Sequence, residues 1–200
     1  MSEIWYVSDL HIDHRFVAAE RGFDSTAEHD RVLAENWDSR VARDDIVEVL
    51  GDISVGGKRA ELNALQWVSR RPGRKHLKAG NHDGCHAMRS EAAKWQRIYL
   101  DTAFESVQQY GIRKIADQRV LLCHFPFQGS DYGDHTPENR FEEWRLPCIG
   151  ENADRWLLHG HTHSPIKVRG RQLHIGLDAH DLTPVPQTWV QHMIANDPPF

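Results

Sequence analysis

Cysteine is scarce in this chain. Cys85, Cys123 and Cys148 are scattered through 200 positions with no Cys-x-x-Cys spacing. An odd, dispersed set argues against a disulfide framework and a thiolate zinc knuckle, and suits free thiols in a reducing compartment. Long apolar runs are missing too. No stretch approaches the roughly 20 residues that a membrane helix needs. The opening Met1-Ser2-Glu3-Ile4-Trp5-Tyr6-Val7 has no basic segment ahead of an apolar one. The expectation is a cytoplasmic protein without membrane contact. Positive charge is not in excess either: the formal charge is −5, which gives no global attraction to nucleic acid or anionic lipid. Repeats, low-complexity tracts and linker-like segments are absent. With 40% hydrophobic and 26% charged residues, the composition is that of a globular protein, and the length suits one domain over residues 1–200.

Histidine, in contrast, is plentiful, with 14 residues. It is the commonest metal ligand, so its placement matters more than its number. Short apolar runs fall at Ile4–Ser8, Ile46–Leu50 and Arg74–Ala79, and again at Arg119–Cys123 and Arg155–His159. Between the first three lie two amphipathic helices. One opens with the capping-box spacing Ser25-Thr26-Ala27-Glu28 and carries Leu33, Trp37 and Val41. The other follows Gly56-Gly57 and carries Leu62, Leu65 and Val68. A third helix is expected from Met88, Ala92, Trp95 and Tyr99. Short strands are expected at 104–107 and 112–116. A hairpin near Gly170, Leu173–Ile175 and a last strand around Trp189–Met193 follow. Alternating strands and helices make this an α/β chain. The stretch from Phe125 to Arg155 has no periodicity, and it mixes Asp131, Asp134, Glu142 and Glu143 with Tyr132, Phe141, Trp144, Arg140 and Arg145. Loops of this length inside a compact domain are usually functional or flexible, and this one suits a lid or specificity loop better than a phosphate-tracking groove.

Five of the apolar runs end in residues able to hold a metal: Asp9 and His11, Asp52, Asn81 with His82, His124, and His161 with His163. Each alone is an ordinary turn. Together they converge, because parallel strands bring their carboxyl ends to one edge of a sheet. Carboxylate, amide oxygen and imidazole without thiolate point to manganese, iron or zinc rather than a structural zinc site. Seven ligands exceed one tetrahedral ion and suit two ions sharing a carboxylate, an arrangement that clamps a phosphoryl centre and generates hydroxide near neutral pH. His14 and Arg15 follow on the first loop, where they either reach a bound anion or are solvated. Arg70, Arg71, Arg74 and Lys75 lie at the far end of the third strand and read as a solvated helix end.

The series Asp9-x-His11, Gly51-Asp52, Gly80-Asn81-His82-Asp83, His124 and Gly160-His161-x-His163 resembles the calcineurin-like metallophosphoesterase superfamily. The resemblance implies a four-layer α-β-β-α sandwich with two mixed β-sheets and helices on both outer faces. It implies two divalent ions, manganese first, with iron, zinc or nickel as the others. Asp9, His11 and His163 would hold one ion, Asn81, His124 and His161 the other, and Asp52 would bridge them. His82 would contact the phosphate and assist the leaving oxygen, while a metal-bridging hydroxide attacked in line. Many members continue the second motif as Gly-Asp-x-x-Asp, the last Asp orienting that histidine. Here Val55 occupies the place, so His82 is either oriented by another group, with Asp83 the candidate, or a weaker acid. The arginine that follows in the protein phosphatases is replaced by Gly56, which disfavours a phosphoprotein substrate.

Ser8-Asp9-Leu10-His11, Glu35-Asn36-Trp37 and Asp178-Ala179-His180-Asp181 further resemble a group of small bacterial and phage phosphoesterases, which would place a phage-encoded member in the host cytoplasm. The function expected is hydrolysis of a small phosphodiester such as a cyclic nucleotide. A metal-dependent nuclease, a phosphomonoesterase and a non-catalytic binding module on the same fold are the alternatives. The sequence carries no signal for an oligomeric state.

Overall fold

The computed structural model describes residues 2–129, 141–152 and 154–196. In the first half, β1 (Ile4–Val7), β2 (Ile46–Val49), β3 (Arg74–Lys78) and β4 (Ser106–Gln108) pair in parallel. Parallel neighbours need crossovers, and helices supply them: α2 (Thr26–Asp38), α3 (Lys58–Ser69) and α4 (Ala92–Thr102), with the short α1 (Arg15–Glu20) ahead of α2. The second half forms β5 (Tyr110–Ile115), β6 (Gln118–Cys123), β7 (Leu157–His159), β8 (Val168–Arg169) and β9 (Gln172–His174). These order as β5-β6-β7-β9-β8, with the inner pairs parallel and both edges antiparallel. A short β10 (Val185–Pro186) then returns antiparallel to β1, completing two mixed five-stranded sheets.

Side-chain alternation along the strands sorts the core. Tyr6, Leu122, Leu158 and Leu173 point between the sheets, where Leu50, Trp156 and Ile175 join them. Trp5, Val7, Val47, Val49 and Leu77 point the other way and meet Leu33 and Trp37 of α2, Leu65 and Val68 of α3 and Trp95 and Tyr99 of α4. On the second sheet Leu121, Cys123 and Leu157 face outward. Phe125, Phe127, Phe141 and Leu146 cover them, and two 3-10 turns, Glu142–Trp144 and Gly150–Asn152, fall in the same stretch of chain. The layers are therefore unequal, with three α-helices on one side and, among the described residues, short turns on the other. No helix among the described residues is long and apolar enough to cross a membrane.

Local chemistry explains most boundaries. Ser25 caps α2, its Oγ accepting the Glu28 N–H at 3.1 Å. Val41 is buried but lies beyond the end of α2, and Met88 precedes α4. In α3 the buried face is Glu61, Ala64, Leu65 and Val68, whereas Leu62 is 36% exposed. The expected last strand around Trp189–Met193 is instead α5 (Gln187–Ala195). Val190 and Ile194 are both buried while His192 between them is exposed; a strand would turn all three to one side, whereas a helix separates His192 from the other two. Lys75, expected to be solvated, is buried, with Nζ donating to the Arg71 carbonyl at 2.6 Å.

One carboxylate ties the start of the chain to the sheet. Asp45 accepts the Glu3 N–H at 2.7 Å, the Trp5 Nε1–H at 3.0 Å and the Ala42 N–H at 2.8 Å. Burial works to raise its carboxyl, but these donors outweigh it and hold the group below the usual carboxylate range. Stability from a depressed carboxylate is complete above its unfolded value and fades as pH falls through the folded one. Asp45→Ala should cost about 1–3 kcal/mol at neutral pH, because buried donors are left unpaired. Asp45→Asn should flatten the loss of stability below about pH 4. Urea titrations of both variants at neutral and acidic pH measure this.

Candidate metal centre

The site forms where the carboxyl ends of the two sheets meet. β1, β2 and β3 of the first sheet deliver Asp9 with His11, Asp52, and Asn81 with His82; β6 and β7 of the second deliver His124, His161 and His163. Backbone pairing runs on past the strands, with Asp9 N–H donating to the Gly51 carbonyl and His11 N–H to that of Asp52, each at 3.1 Å. Asp9, His11, Asp52, His161 and His163 all have φ between 47° and 71°. Asp and His tolerate this left-handed region better than most residues, but each still costs on the order of 1 kcal/mol. The backbone is bent to aim side chains.

Those side chains form two groups. Candidate ligand atoms of Asp9, His11 and His163 lie within 4.8 Å of one another, as do those of Asp52, His124 and His161. Asn81 joins the second group, its Oδ1 3.2 Å from His124 Nε2. Asp52 stands between the groups, with Oδ2 3.3 Å from His124 Nε2 and 3.9 Å from His11 Nε2. Both ring nitrogens of His11 and Nε2 of His161 are buried without a hydrogen-bond partner. Buried polar atoms are normally satisfied, so these point to a missing partner that accepts lone pairs. Oxygen and imidazole donors without sulfur suit a borderline divalent cation. The residues therefore fit two such ions.

Electrostatics agree. Burial holds His11 and His161 well below the ordinary histidine value, in the neutral form that ligates. Burial would raise Asp52, but His124, His82 and His11 hold it well below the carboxylate range. For His124 burial acts downward and is outweighed by Asp52, which pushes it up to about 9. A divalent cation bound there would take the place of that proton.

A second layer fixes ring orientations. His124 Nδ1–H donates to the Leu50 carbonyl at 2.7 Å, leaving Nε2 for Asp52 and Asn81. His163 Nδ1–H donates to Asp178 Oδ2 at 2.9 Å, and Asp178 accepts Arg21 Nε and Nη2 at 2.8 Å each. Arg21 Nη2 also donates to the Asp9 carbonyl at 2.8 Å. Burial opposes ionisation of Asp178, yet Arg21 and His163 keep it far below the usual range. Arg21 and Asp178 were not among the sequence candidates. Asp178 sits in the Asp-Ala-His-Asp run, a detectable signal; Arg21 is an unremarkable helix C-cap that only the fold brings near.

His82 is half exposed and is held without the expected carboxylate. Its Nδ1–H donates to the Val55 carbonyl at 2.9 Å, and its main-chain N–H donates to Asp52 Oδ1 at 2.8 Å. Asp83 does not orient it, correcting the expectation that it serves the catalytic histidine. The Asp83 carboxylate is fully buried and accepts main-chain N–H groups of Gly80, Asp52 and Ile53 at 2.8, 3.0 and 3.1 Å. Gly80 is needed for close approach, since a Cβ there would sit 2.7 Å from the Asp52 nitrogen and overlap its carboxylate.

The cleft over these residues measures ≈ 280 Å³ and is walled by His14, Phe16, Val17, Glu20 and Phe141. His14 thus faces it, while Arg15 is exposed on the first turn of α1 and does not line it. Of the expected lid, Phe141 reaches the cleft; Asp131, Tyr132, Asp134 and Arg140 lie outside the described residues.

Comparison with known proteins gives the same family from an independent direction. The calcineurin-like phosphoesterase family model matches residues 2–183. The gene 66 protein of Mycobacterium phage D29 is 45% identical over 196 residues, covering 94% of this chain and 94% of that protein. Its counterpart in Mycobacterium phage L5 is 43% identical over 191 residues, covering 90% and 88%. A solved structure of a protein of unknown function from Aquifex aeolicus shares the fold, with a TM-score of 0.72 at 19% identity over 96% of this chain and 100% of that one.

Asp178→Asn keeps the shape but weakens the grip on His163. Metal affinity should fall about 10- to 100-fold, with a smaller effect on melting temperature; calorimetric titration of the purified chain with manganese measures it.

Proposed function

The chain belongs to the calcineurin-like phosphoesterase family, a family of metal-dependent phosphoester hydrolases, and from that premise we propose that it hydrolyses a small phosphodiester, a cyclic nucleotide or another compact diester. The observation that carries this reading is the pair of donor groups, buried but for half-buried His163, that meet at Asp52 and open on one cleft beside His82. Asp9, His11 and His163 would hold one divalent ion and Asn81, His124 and His161 the other, with Asp52 common to both. Manganese is the first candidate, with iron, zinc and nickel next. When bound, two such ions supply Lewis acidity and lower the pKa of water toward neutrality.

The protein's own groups do the rest. Because the Val55 carbonyl accepts from Nδ1, the Nε2 of His82 faces the cleft, 3.9 Å from Asp52 Oδ2. As the imidazolium it donates Nε2–H to the leaving oxygen, and the neutral ring that remains keeps its Nδ1–H on Val55. The Arg21–Asp178–His163 chain fixes one ligand ring, and Leu50 fixes His124. Gly56 stands where the protein phosphatases carry an arginine. A diester, one negative charge poorer than a monoester, has less need of that cation. Glu20 and Asp178 line the cleft where a nuclease would want a basic track. We take the chain to act as one domain in the cytoplasm, that of a bacterial host if a phage encodes it.

Asn81→Ala and His124→Ala should each lower manganese-dependent turnover of bis-p-nitrophenyl phosphate by more than about 100-fold, with circular dichroism unchanged. Full activity in either metal-depleted variant would overturn the proposal. Val55→Ala leaves the main-chain acceptor in place, so turnover should change by less than about threefold; a loss as large as that of His82→Ala would refute orientation by the carbonyl.

A further inference from the structure

His82 lines a second cavity as well as the metal cleft. Beyond it a groove of ≈ 550 Å³ opens between the loop Val55–Lys58 and the segment from Gly84 to Ile98. The group that assists the leaving oxygen thus borders a space larger than the metal cleft itself. Gly56 and Gly57, at φ 87° and 85°, line it, and a Cβ at Gly57 would meet nothing within 4 Å.

The walls are chemically mixed. Leu62, Trp95 and Ile98 are apolar, while Lys58, Arg89 and Lys94 bring three cations. Two carboxylates also line the groove, Glu61 and Glu91. Glu91 is paired with Lys94 at 2.9 Å. Glu61 turns inward, accepting the Gly84 N–H at 2.7 Å and the Tyr99 hydroxyl at 3.0 Å. Arg89 is anchored by a hydrogen bond from Nη2 to the Asn81 carbonyl, which fixes its guanidinium behind the metal-facing loop. The balance at the open surface is cationic, set by Lys58 and Arg89.

We infer that this groove is the leaving-group subsite, and that it recognises an alcohol which itself carries a phosphate. The inference rests on the phosphodiesterase reading above and sharpens it. In the reaction, water supplies the new P–O bond, the P–O bond to the phosphorylated alcohol breaks, and His82 gives its proton to the departing oxygen. A cyclic nucleotide has no separate leaving group and would leave the groove empty. A linear diester whose leaving alcohol is phosphorylated fills it, and contacts remote from the reacting phosphorus favour its turnover.

A matched pair of substrates tests this: the dinucleotide thymidylyl-thymidine with and without a 5′-terminal phosphate, assayed with the manganese-loaded chain. Departure of the 3′ oxygen puts that phosphate on the leaving nucleoside. The phosphorylated dinucleotide should show a kcat/KM at least about tenfold higher, mostly through KM. Lys58→Gln and Arg89→Gln should each cut that ratio to within about twofold of unity, whereas Arg15→Gln, which lies outside both cavities, should keep it. Equal kcat/KM in the wild type, or a ratio unmoved by both groove variants, overturns the inference. So does turnover of bis-p-nitrophenyl phosphate with neither dinucleotide accepted. If even bis-p-nitrophenyl phosphate is untouched with two metals bound, the phosphodiesterase reading fails instead. Calorimetry with thymidine 5′-monophosphate then decides the groove: binding about tenfold weaker in Lys58→Gln supports it, and unchanged binding refutes it.

Discussion

The carboxylate of Asp83 gathers three main-chain N–H groups from two different strand ends, and most of the site depends on that grip. By accepting from Gly80 on one loop and from Asp52 and Ile53 on the other, it locks the termini of β3 and β2 together. Asp52 and Asn81 are thereby presented at a fixed separation. The cost is electrostatic: burial, with the nearby Asp52 charge, raises the Asp83 carboxyl to about 7. Two carboxylates side by side in a dry interior repel. Divalent charge next to Asp52 would relieve that repulsion, which suits a scaffold organised for cations.

The same reasoning extends to the gap between the sheets. Each donor group takes members from both sheets: Asp9 and His11 with His163, and Asp52 with His124 and His161. The five left-handed residues among the proposed ligands show a backbone that favours side-chain aim over relaxed torsion. The Arg21–Asp178 pair adds a third tie, joining the end of α1 to the turn after β9. The centre is thus also a seam.

Much of this was legible in the sequence where one physical rule acts locally. Strand ends carrying Asp9, Asp52, Asn81, His124 and His161 read as one edge because parallel topology forces it, although that edge proved to be shared between two sheets. Ser25 and Glu28 marked a helix start, as capping chemistry requires. The misreadings came where two rules compete or contacts are long-range. Trp189 and Val190 have strand-forming side chains, yet Val190 and Ile194 are buried with His192 exposed between them, a pattern of helical and not strand period. The spacing of Leu62, Leu65 and Val68 points Leu62 inward, while Glu61 is the buried neighbour because Gly84 and Tyr99 satisfy it. Arg21 meets Asp178 across 157 positions, a pairing no local pattern encodes. Asp83, read as a partner of His82, faces inward because backbone donors surround it.

The acceptor for His82 is a main-chain carbonyl, and that has an evolutionary consequence. A carbonyl belongs to every residue, so position 55 can drift through many side chains while the imidazole keeps its orientation. What selection must preserve is the path of the chain, above all the turn that Gly56 makes at φ 87°. The side chain at position 55 is therefore not what sets the direction of this ring.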